Sequence, residues 1–263
     1  MENQENNQDF SQFEELNEEL SNEELLNSNK SFWARLKQSG IKTKIINIIL
    51  DLSFCVLLFV LATNSGFATF YENSEIVGAS MKPTFNAEVV TRNDPRNEMA
   101  VYKKYKDYTY GEVIISNHNG TMVIKRIIAM AGDRIKIDKI NGKYCILLNG
   151  EVLQESYISK DYATNEQNKL KFESLYNDDK YGCRKYFDNE GYLVVPEGYY
   201  FYVGDNRTNS SDCIEYGPQP IEDIVGKVVY KYPSSYEDDK LKLFGIKVIV
   251  LFGNLFNGLQ PNF

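Results

Sequence analysis

The order of apolar and polar positions separates this chain into two kinds of segment. Between Ile45 and Ala62 almost every residue is apolar, and Asp51 carries the one charge. Because about 20 helical residues cross the 30 Å core of a bilayer, the run predicts a transmembrane helix over residues 41–70. Asp51 lies near its start, where a carboxylate can approach the interface or be protonated. The alternatives are a buried helix of a soluble protein and a cleavable leader, for which the run starts late and is long.

From Glu72 onward, short alternating runs separated by turn residues replace the apolar run. Such runs predict strands, one of them over residues 87–93. The Asn-Gly pairs within 117–120 and at 149–150 predict hairpin turns. Residues 155–190 are polar, tyrosine-rich and weakly patterned, which is typical of an insertion or cap rather than a core. The expected fold class is mostly β, with an inserted cap, on one N-terminal transmembrane helix.

These patterns predict six parts. They are an acidic tail with a basic juxtamembrane stretch (1–40), the anchor (41–70), the first part of a β-domain (71–139), an inserted cap (140–199), the second part of the β-domain (200–240) and an apolar C-terminal segment (241–263). Lys247 interrupts the last part, which is short for a second span. We expect it to lie at the membrane surface or over the core, with a second span as the alternative.

The distribution of charged residues predicts how the chain is oriented in the membrane. The net charge is −8, and residues 1–30 hold nine acidic side chains against one lysine, so the acidity belongs to a tail that we expect to be disordered. Four cations lie between residues 31 and 44, whereas only Lys82 lies within about 15 residues after the span. This bias predicts a cytoplasmic N-terminus and the bulk of the chain outside the cell membrane. No basic stripe suggests nucleic-acid binding.

The four cysteines give little chemistry. They form no Cys-x-x-Cys pair, so the sequence does not favour a zinc site. A disulfide between Cys145 and Cys183 is one open alternative.

The sequence "GASMKPTF" (78–85) offers Ser80 as a nucleophile, and a serine needs a base. The single histidine, His118, lies in a polar turn, where a solvated side chain is expected. Lys125 lies in the apolar run "TMVIKRIIAM", and side chains alternate across a strand, so Arg126 points the other way. Burial disfavours the charged form of lysine and lowers its pKa, which is how Lys125 could serve as a base. By pattern alone, a solvent-facing lysine is the ordinary alternative.

A third stretch, "GDNRTNSSD" (204–212), is a polar loop after an apolar strand. The stretches "SMKPT" (80–84), "KRIIAMAGD" (125–133) and this loop occur in order after one span. Together they resemble type I signal peptidases, the membrane-anchored Ser/Lys enzymes of peptidase family S26, in the single-anchor form of the Gram-positive branch. The resemblance covers roughly residues 40 to 235.

The resemblance implies roles for individual residues. Ser80 would be the nucleophile and Lys125 the general base, with Ser210 orienting the lysine. Gly78 stands where some members carry a second oxyanion donor. Ion pairs of Asp205, Arg126 and Asp212 would brace the site.

Two departures from the family pattern stand out. Ala129 to Asp133 replace the usual Gly-Leu-Pro-Gly-Asp, and Cys213-Ile214 replace Ser-Arg, which removes the usual partner of Asp212.

The implied function is cleavage of signal peptides from exported preproteins after small residues, the Ala-x-Ala rule. The implied partners are signal peptides, membrane lipid and the export machinery, with no metal or organic cofactor. The rivals are a narrow-specificity Ser/Lys protease, such as a pilin-processing enzyme or a self-cleaving repressor, and a membrane-anchored binding protein without activity.

Overall fold

The computed structural model describes residues 40–86, 96–104 and 108–256, and scattered residues between 27 and 35. The helices are α1 (Ile41–Phe70), α2 (Glu166–Asn177), α3 (Cys213–Tyr216) and α4 (Lys240–Phe256). The strands are β1 (Tyr71–Glu75), β2 (Glu98–Lys103), β3 (Val113–His118), β4 (Thr121–Met130), β5 (Arg134–Ile140), β6 (Lys143–Leu148), β7 (Glu151–Val152), β8 (Leu193–Val194), β9 (Tyr199–Val203), β10 (Gln219–Pro220) and β11 (Ile224–Pro233). Short 3₁₀ turns occur at Lys160–Tyr162, Lys180–Gly182, Arg184–Tyr186, Arg207–Asn209, Ile221–Asp223 and Ser234–Tyr236.

The chain divides into two compact units, residues 1–62 and 63–263. In the first unit, the described part of α1 is apolar and exposed, and α1 as a whole is long and apolar enough to cross a membrane. Most of the acidic tail and the whole of the strand expected over 87–93 lie outside the described residues. These two expectations therefore stay predictions.

The second unit is built from two antiparallel sheets. The larger has the strand order β1-β2-β11-β3-β4-β9-β10, and the smaller has the order β7-β6-β5-β8. The prediction of a mostly β fold is thereby confirmed. The hairpin between β3 and β4 turns at Asn119 and Gly120, whose φ angles of 50° and 80° suit a two-residue turn. The other predicted hairpin turns at Asn149-Gly150, between β6 and β7.

One hydrophobic core joins both sheets and α2. Ile127 of β4, Ile137 of β5 and Phe172 of α2 are almost fully buried in it. Asn165 caps α2 through a reciprocal capping box with Asn168. The polar segment that looked like a cap from its sequence therefore contributes a helix with a buried apolar face. Of the smaller sheet, β6, β7 and β8 fall within the expected insert of residues 140–199, and β5 precedes it.

Candidate active site

Ser80 lies in the turn that follows β1, and the loop after β9 holds its backbone. The Asn206 backbone N–H donates to the Ser80 carbonyl at 3.0 Å. The Asn206 side-chain amide donates to the Ala79 carbonyl at 2.9 Å. A buried Asn86 side chain donates to the Ile76 carbonyl at 2.6 Å. The two Asn206 bonds fix the Ser80 turn against the loop after β9, and the Asn86 bond ties together the two ends of the turn itself.

Lys125 lies opposite Ser80. Its Nζ is 3.0 Å from Ser80 Oγ and donates to the Ile124 carbonyl at 2.9 Å. The lysine is only 4% exposed, and its backbone pairs with Ile114 of β3. Burial lowers the pKa of Lys125, and Asp212, Cys213 and Asp205 act in the opposite direction. A neutral amine in this place has a lone pair that can accept the serine proton.

Arg126 points to the other face of β4, and each of its three guanidinium nitrogens donates a hydrogen bond. Its Nε and Nη2 donate to the two carboxylate oxygens of buried Asp205 at 2.8 and 2.6 Å. Nη1 donates to the Gly111 carbonyl at 2.6 Å. Thr84 Oγ1 donates to Asp205 at 2.5 Å, so this pair also ties down the Ser80 turn. The guanidinium stacks over the ring of Tyr157 at 4.1 Å.

Gly204 is the point where the Ser80 turn and the polar loop touch. A Cβ on Gly204 would collide with the Ser80 carbonyl oxygen and with Ser210 Oγ. Ser210 is therefore a neighbour of the Ser80 backbone. Its Oγ is buried and has no hydrogen-bond partner within the described part of the chain.

Asp212 has backbone partners in place of the absent arginine. Its carboxylate accepts the N–H of Gly204 at 2.9 Å and the N–H of Ile214 at 3.1 Å, the latter capping α3. It makes no ion pair in the described ranges, whereas the family pattern implied one. Cys213 is fully buried beside it and accepts the Tyr202 N–H at 3.3 Å, and burial raises the pKa of its thiol.

The remaining candidates lie apart from this pair. His118 ends β3, where Nδ1 is 3.0 Å from Gln219 Oε1 and the ring stacks on Tyr216 at 4.1 Å. All four cysteines are free, so the alternative of a Cys145–Cys183 disulfide is wrong. No group of three or more His, Cys, Asp or Glu that could hold a metal ion occurs among the residues described.

Two contacts at the site were not predicted from the sequence. Arg207, in the loop, is fully buried and forms a bidentate ion pair with Glu155 from the expected insert, one bond measuring 2.9 Å. Asn168 of α2 donates to the Arg207 carbonyl at 2.9 Å. The turn signal Gly-Asp-Asn marked the loop, but no local pattern identifies partners 39 and 52 residues away.

A cleft of about 580 Å³ leads to the Ser80–Lys125 pair. Residues 74–80 form one wall and residues 121–125 form the other, with Ile115 also lining the cleft. On the edge of β4 away from β3, pairing with β9 begins only at Arg126, so no described strand pairs with that edge over residues 121–125. Gly78, with φ of +96°, lies in the first wall next to Ser80.

Comparison with known proteins identifies the family. A family model described as "Signal peptidase, peptidase S26" matches residues 46–233, more than two thirds of the chain. The chain belongs to the S26 signal peptidase family. The predicted resemblance to type I signal peptidases is thereby confirmed, and the protein is a serine peptidase. The matched range contains every site residue described above and ends before α4.

Individual relatives agree with this S26 assignment. A signal peptidase I of Rickettsia typhi is 26% identical over 71% of this chain and 75% of its own length. A signal peptidase I of Aquifex aeolicus is 29% identical over 75% of this chain and 90% of its own length. A solved signal peptidase I from Enterococcus faecalis, 24% identical, aligns with 47% of this chain and 97% of its own at a TM-score of 0.33. That structural likeness is too slight to carry an argument.

Proposed function

We propose that this S26 peptidase cleaves signal peptides from exported preproteins with a Ser80–Lys125 dyad. The observation that carries the proposal is the buried Lys125 Nζ, 3.0 Å from Ser80 Oγ and without a carboxylate bonded to it in the described residues. Because burial favours the neutral amine, Lys125 can take the serine proton as Ser80 Oγ attacks the scissile carbonyl. The protonated amine then gives the proton to the leaving amine as the peptide bond breaks, which leaves an acyl group on Ser80. A water molecule, deprotonated by the same lysine, attacks this ester, and the proton returns to Ser80 Oγ as the acyl group leaves.

The oxyanion of this reaction would be stabilised by the Ser80 backbone N–H. Gly78 has no side-chain hydroxyl, so a second donor at its position would be the backbone. Ser210, beside the Ser80 backbone, would hydrogen-bond Lys125 and orient it, as the family resemblance implies. Asp205 and Arg126 would hold the Ser80 turn and the loop in register. No metal or cofactor enters these steps.

The cleft supports an extended substrate. A peptide added to the open edge at residues 121–125 would form main-chain hydrogen bonds and present its scissile bond to Ser80. Side chains from alternate positions would face the cleft, whose lining includes Ile76, Ile115 and Ile124. Apolar walls would accept the methyl group of alanine, and the family resemblance implies small residues at the first and third positions before the cut, which is the Ala-x-Ala rule. Signal peptides are therefore the proposed substrates.

The proposed localisation is the cell membrane, with α1 as a single anchor, a cytoplasmic N-terminus and the catalytic part outside. The cations at 31–44 support this orientation. Membrane lipid and the export machinery are the proposed neighbours, and the Gram-positive form of the family stays a prediction. The six-part division of the chain, with a disordered tail and an inserted cap, likewise stays a prediction.

The test is cleavage of a purified preprotein in detergent from pH 6 to 10. Ser80→Ala and Lys125→Ala should abolish cleavage, and His118→Ala should retain it. Lys139→Ala is the matched control, since it removes an exposed lysine from β5, the next strand along the chain. Cleavage that survives in Lys125→Ala would disprove the dyad and return His118 to consideration. No cleavage by the wild type would favour a narrow-specificity or binding-only protein.

A further inference from the structure

The C-terminal helix α4 packs on the last turns of α1. Ile246 and Val250 of α4 are 6% and 0% exposed, and they share a hydrophobic cluster with Phe67 and Tyr71. A Cβ on Gly66 would be 3.6 Å from Leu251, so the two helices approach closely there. The same cluster includes buried side chains of β2 and β11. Hence α4 is bound both to the end of α1 and to the larger sheet.

A polar contact between α4 and α1 shows where this packing lies relative to the expected membrane boundary. Lys247 Nζ donates to Asn64 Oδ1 at 2.8 Å and lies 5.6 Å from the centroid of Phe67. About 20 residues are needed to cross the bilayer core, and 20 residues counted from Ile45 end at Asn64. The contact thus falls where the proposed anchor leaves the membrane. A lysine beside this boundary can keep its stem in apolar surroundings and its amine near polar groups.

The other face of α4 is apolar and exposed. Leu241, Ile249 and Phe252 are 80%, 50% and 39% exposed. Their spacing of eight and three residues places them along one side of the helix. Lys240 and Lys242, at its start, are exposed too. A contiguous apolar strip of this kind, next to cations, is typical of a helix that lies in a membrane interface.

We propose that α4 lies in the outer interface of the lipid bilayer, with Leu241, Ile249 and Phe252 toward the acyl chains. The inference rests on the anchor of the proposed function, because α4 is packed against residues 64–71, directly after the span. Since β1 belongs to the same cluster as α4 and Ser74 of β1 lines the cleft, this contact sets the height of the cleft above the bilayer. A signal peptide still embedded in lipid would then meet Ser80 at a fixed depth.

Tryptophan fluorescence of the full-length enzyme in nanodiscs tests the depth of α4. Trp33→Phe removes the single native tryptophan, and Ile249→Trp, Leu57→Trp or Tyr181→Trp is then introduced alone. Lipids brominated on the acyl chains should quench Ile249→Trp and Leu57→Trp strongly, and should leave Tyr181→Trp, on an exposed 3₁₀ turn, unchanged. An unquenched Ile249→Trp would overturn the proposal. Leu57→Trp tests the anchor separately: quenching at position 57 but not at 249 overturns the placement of α4 alone, whereas quenching at neither position overturns the anchor as well.

Cleavage assays supply a second readout. Ile249→Asp in the otherwise native chain should slow cleavage of a preprotein in vesicles about tenfold. It should leave cleavage of a short soluble peptide in detergent unchanged. Lys160→Asp, on an exposed 3₁₀ turn of the expected insert, is the matched control and should alter neither rate. Equal rates on vesicle-bound preprotein for Ile249→Asp and wild type would contradict the proposal, and equal losses on both substrates would indicate a folding defect instead of a lipid contact.

Discussion

Lys125 and Arg126 are consecutive residues of β4 with similar burial, 4% and 7% exposed, yet opposite surroundings. On one face, Arg126 is held by two bonds to Asp205, a backbone carbonyl and the ring of Tyr157. On the other face, the Lys125 amine bonds to Ser80 and to the Ile124 carbonyl. In the described part of the chain it has no carboxylate bonded to it.

The difference shows how one strand can carry both a structural ion pair, at Arg126, and a candidate general base, at Lys125. Arginine keeps its charge at any ordinary pH, so burying it requires a carboxylate. Lysine can lose its proton, and burial without a bonded carboxylate favours that loss. Asp212 is near enough to raise the pKa of Lys125, but its oxygens are occupied by the backbone N–H groups of Gly204 and Ile214.

The largest expected effect is that of Lys125→Met. Cleavage should fall by about 10²–10⁴-fold or more, the usual contribution of a general base. Because folding lowers the pKa of Lys125 from about 10.5, the folded protein binds fewer protons than the unfolded chain. The buried lysine thus lowers stability fully below its folded pKa, and the cost disappears above about pH 10.5. Thermal unfolding should show Lys125→Met more stable than wild type at pH 6, with a gain that shrinks as the pH rises.

Lys139→Met serves as the control and should not change the melting temperature at pH 6 or at higher pH. In the wild type, the cleavage rate should rise with pH through the lowered pKa and level off before pH 10.5. A Lys125→Met gain that is independent of pH would argue against a depressed lysine pKa.

Asp205→Ala should be the most destabilising change on the other face. It leaves Arg126 buried without its carboxylate, which costs about 3–5 kcal/mol in the free energy of unfolding. Denaturant titration measures the loss. The double variant Arg126→Met/Asp205→Leu should recover most of it, because it removes both charges. A double variant as unstable as Asp205→Ala would show that the two side chains stabilise the fold by more than compensating each other's charge.

Glu155→Gln should have an intermediate effect. It weakens a charge-assisted pair with the fully buried Arg207, at about 1.5–3 kcal/mol. The Arg207 guanidinium also donates to the Gly204 carbonyl, so cleavage should fall together with stability. Glu151→Gln, at an exposed position of β7, is the comparison and should change neither quantity. Stability equal to wild type would show that the charge of Glu155 is not what holds Arg207 in place.

Ser210→Ala should have the smallest effect on stability. Its buried hydroxyl has no partner in the described structure, so removing it should not lower the free energy of unfolding. Cleavage should still fall about tenfold, the worth of one hydrogen bond to Lys125 during the reaction. Ser211→Ala, at the exposed neighbour, should leave cleavage unchanged. Unchanged cleavage in Ser210→Ala would remove this serine from the mechanism.

Much of this contrast was predictable from local sequence. Alternation along "TMVIKRIIAM" placed Lys125 and Arg126 on opposite faces, and two Asn-Gly pairs located hairpin turns. The apolar run predicted α1 over its full length, 41–70. These features depend on residues that are near in sequence, where period and turn chemistry apply.

The rest required contacts between distant residues. The backbone partners of Asp212, the Glu155–Arg207 pair and the packing of Phe172 into the core are set by tertiary structure. Polar residues dominate the segment around α2, so its two buried apolar positions left a weak periodic signal. His118 was expected to be solvated, but Gln219 and Tyr216 come to it from another part of the chain.

The close approach at Gly204 limits how this enzyme can diversify. Position 204 has no room for even a methyl group, because the Ser80 carbonyl and the Ser210 hydroxyl occupy that space. Any substitution would force Ser80 or Ser210 to shift without altering a reacting atom. In a mutational library or over evolutionary drift, this position would therefore be as invariant as the nucleophile, although it contributes no side chain.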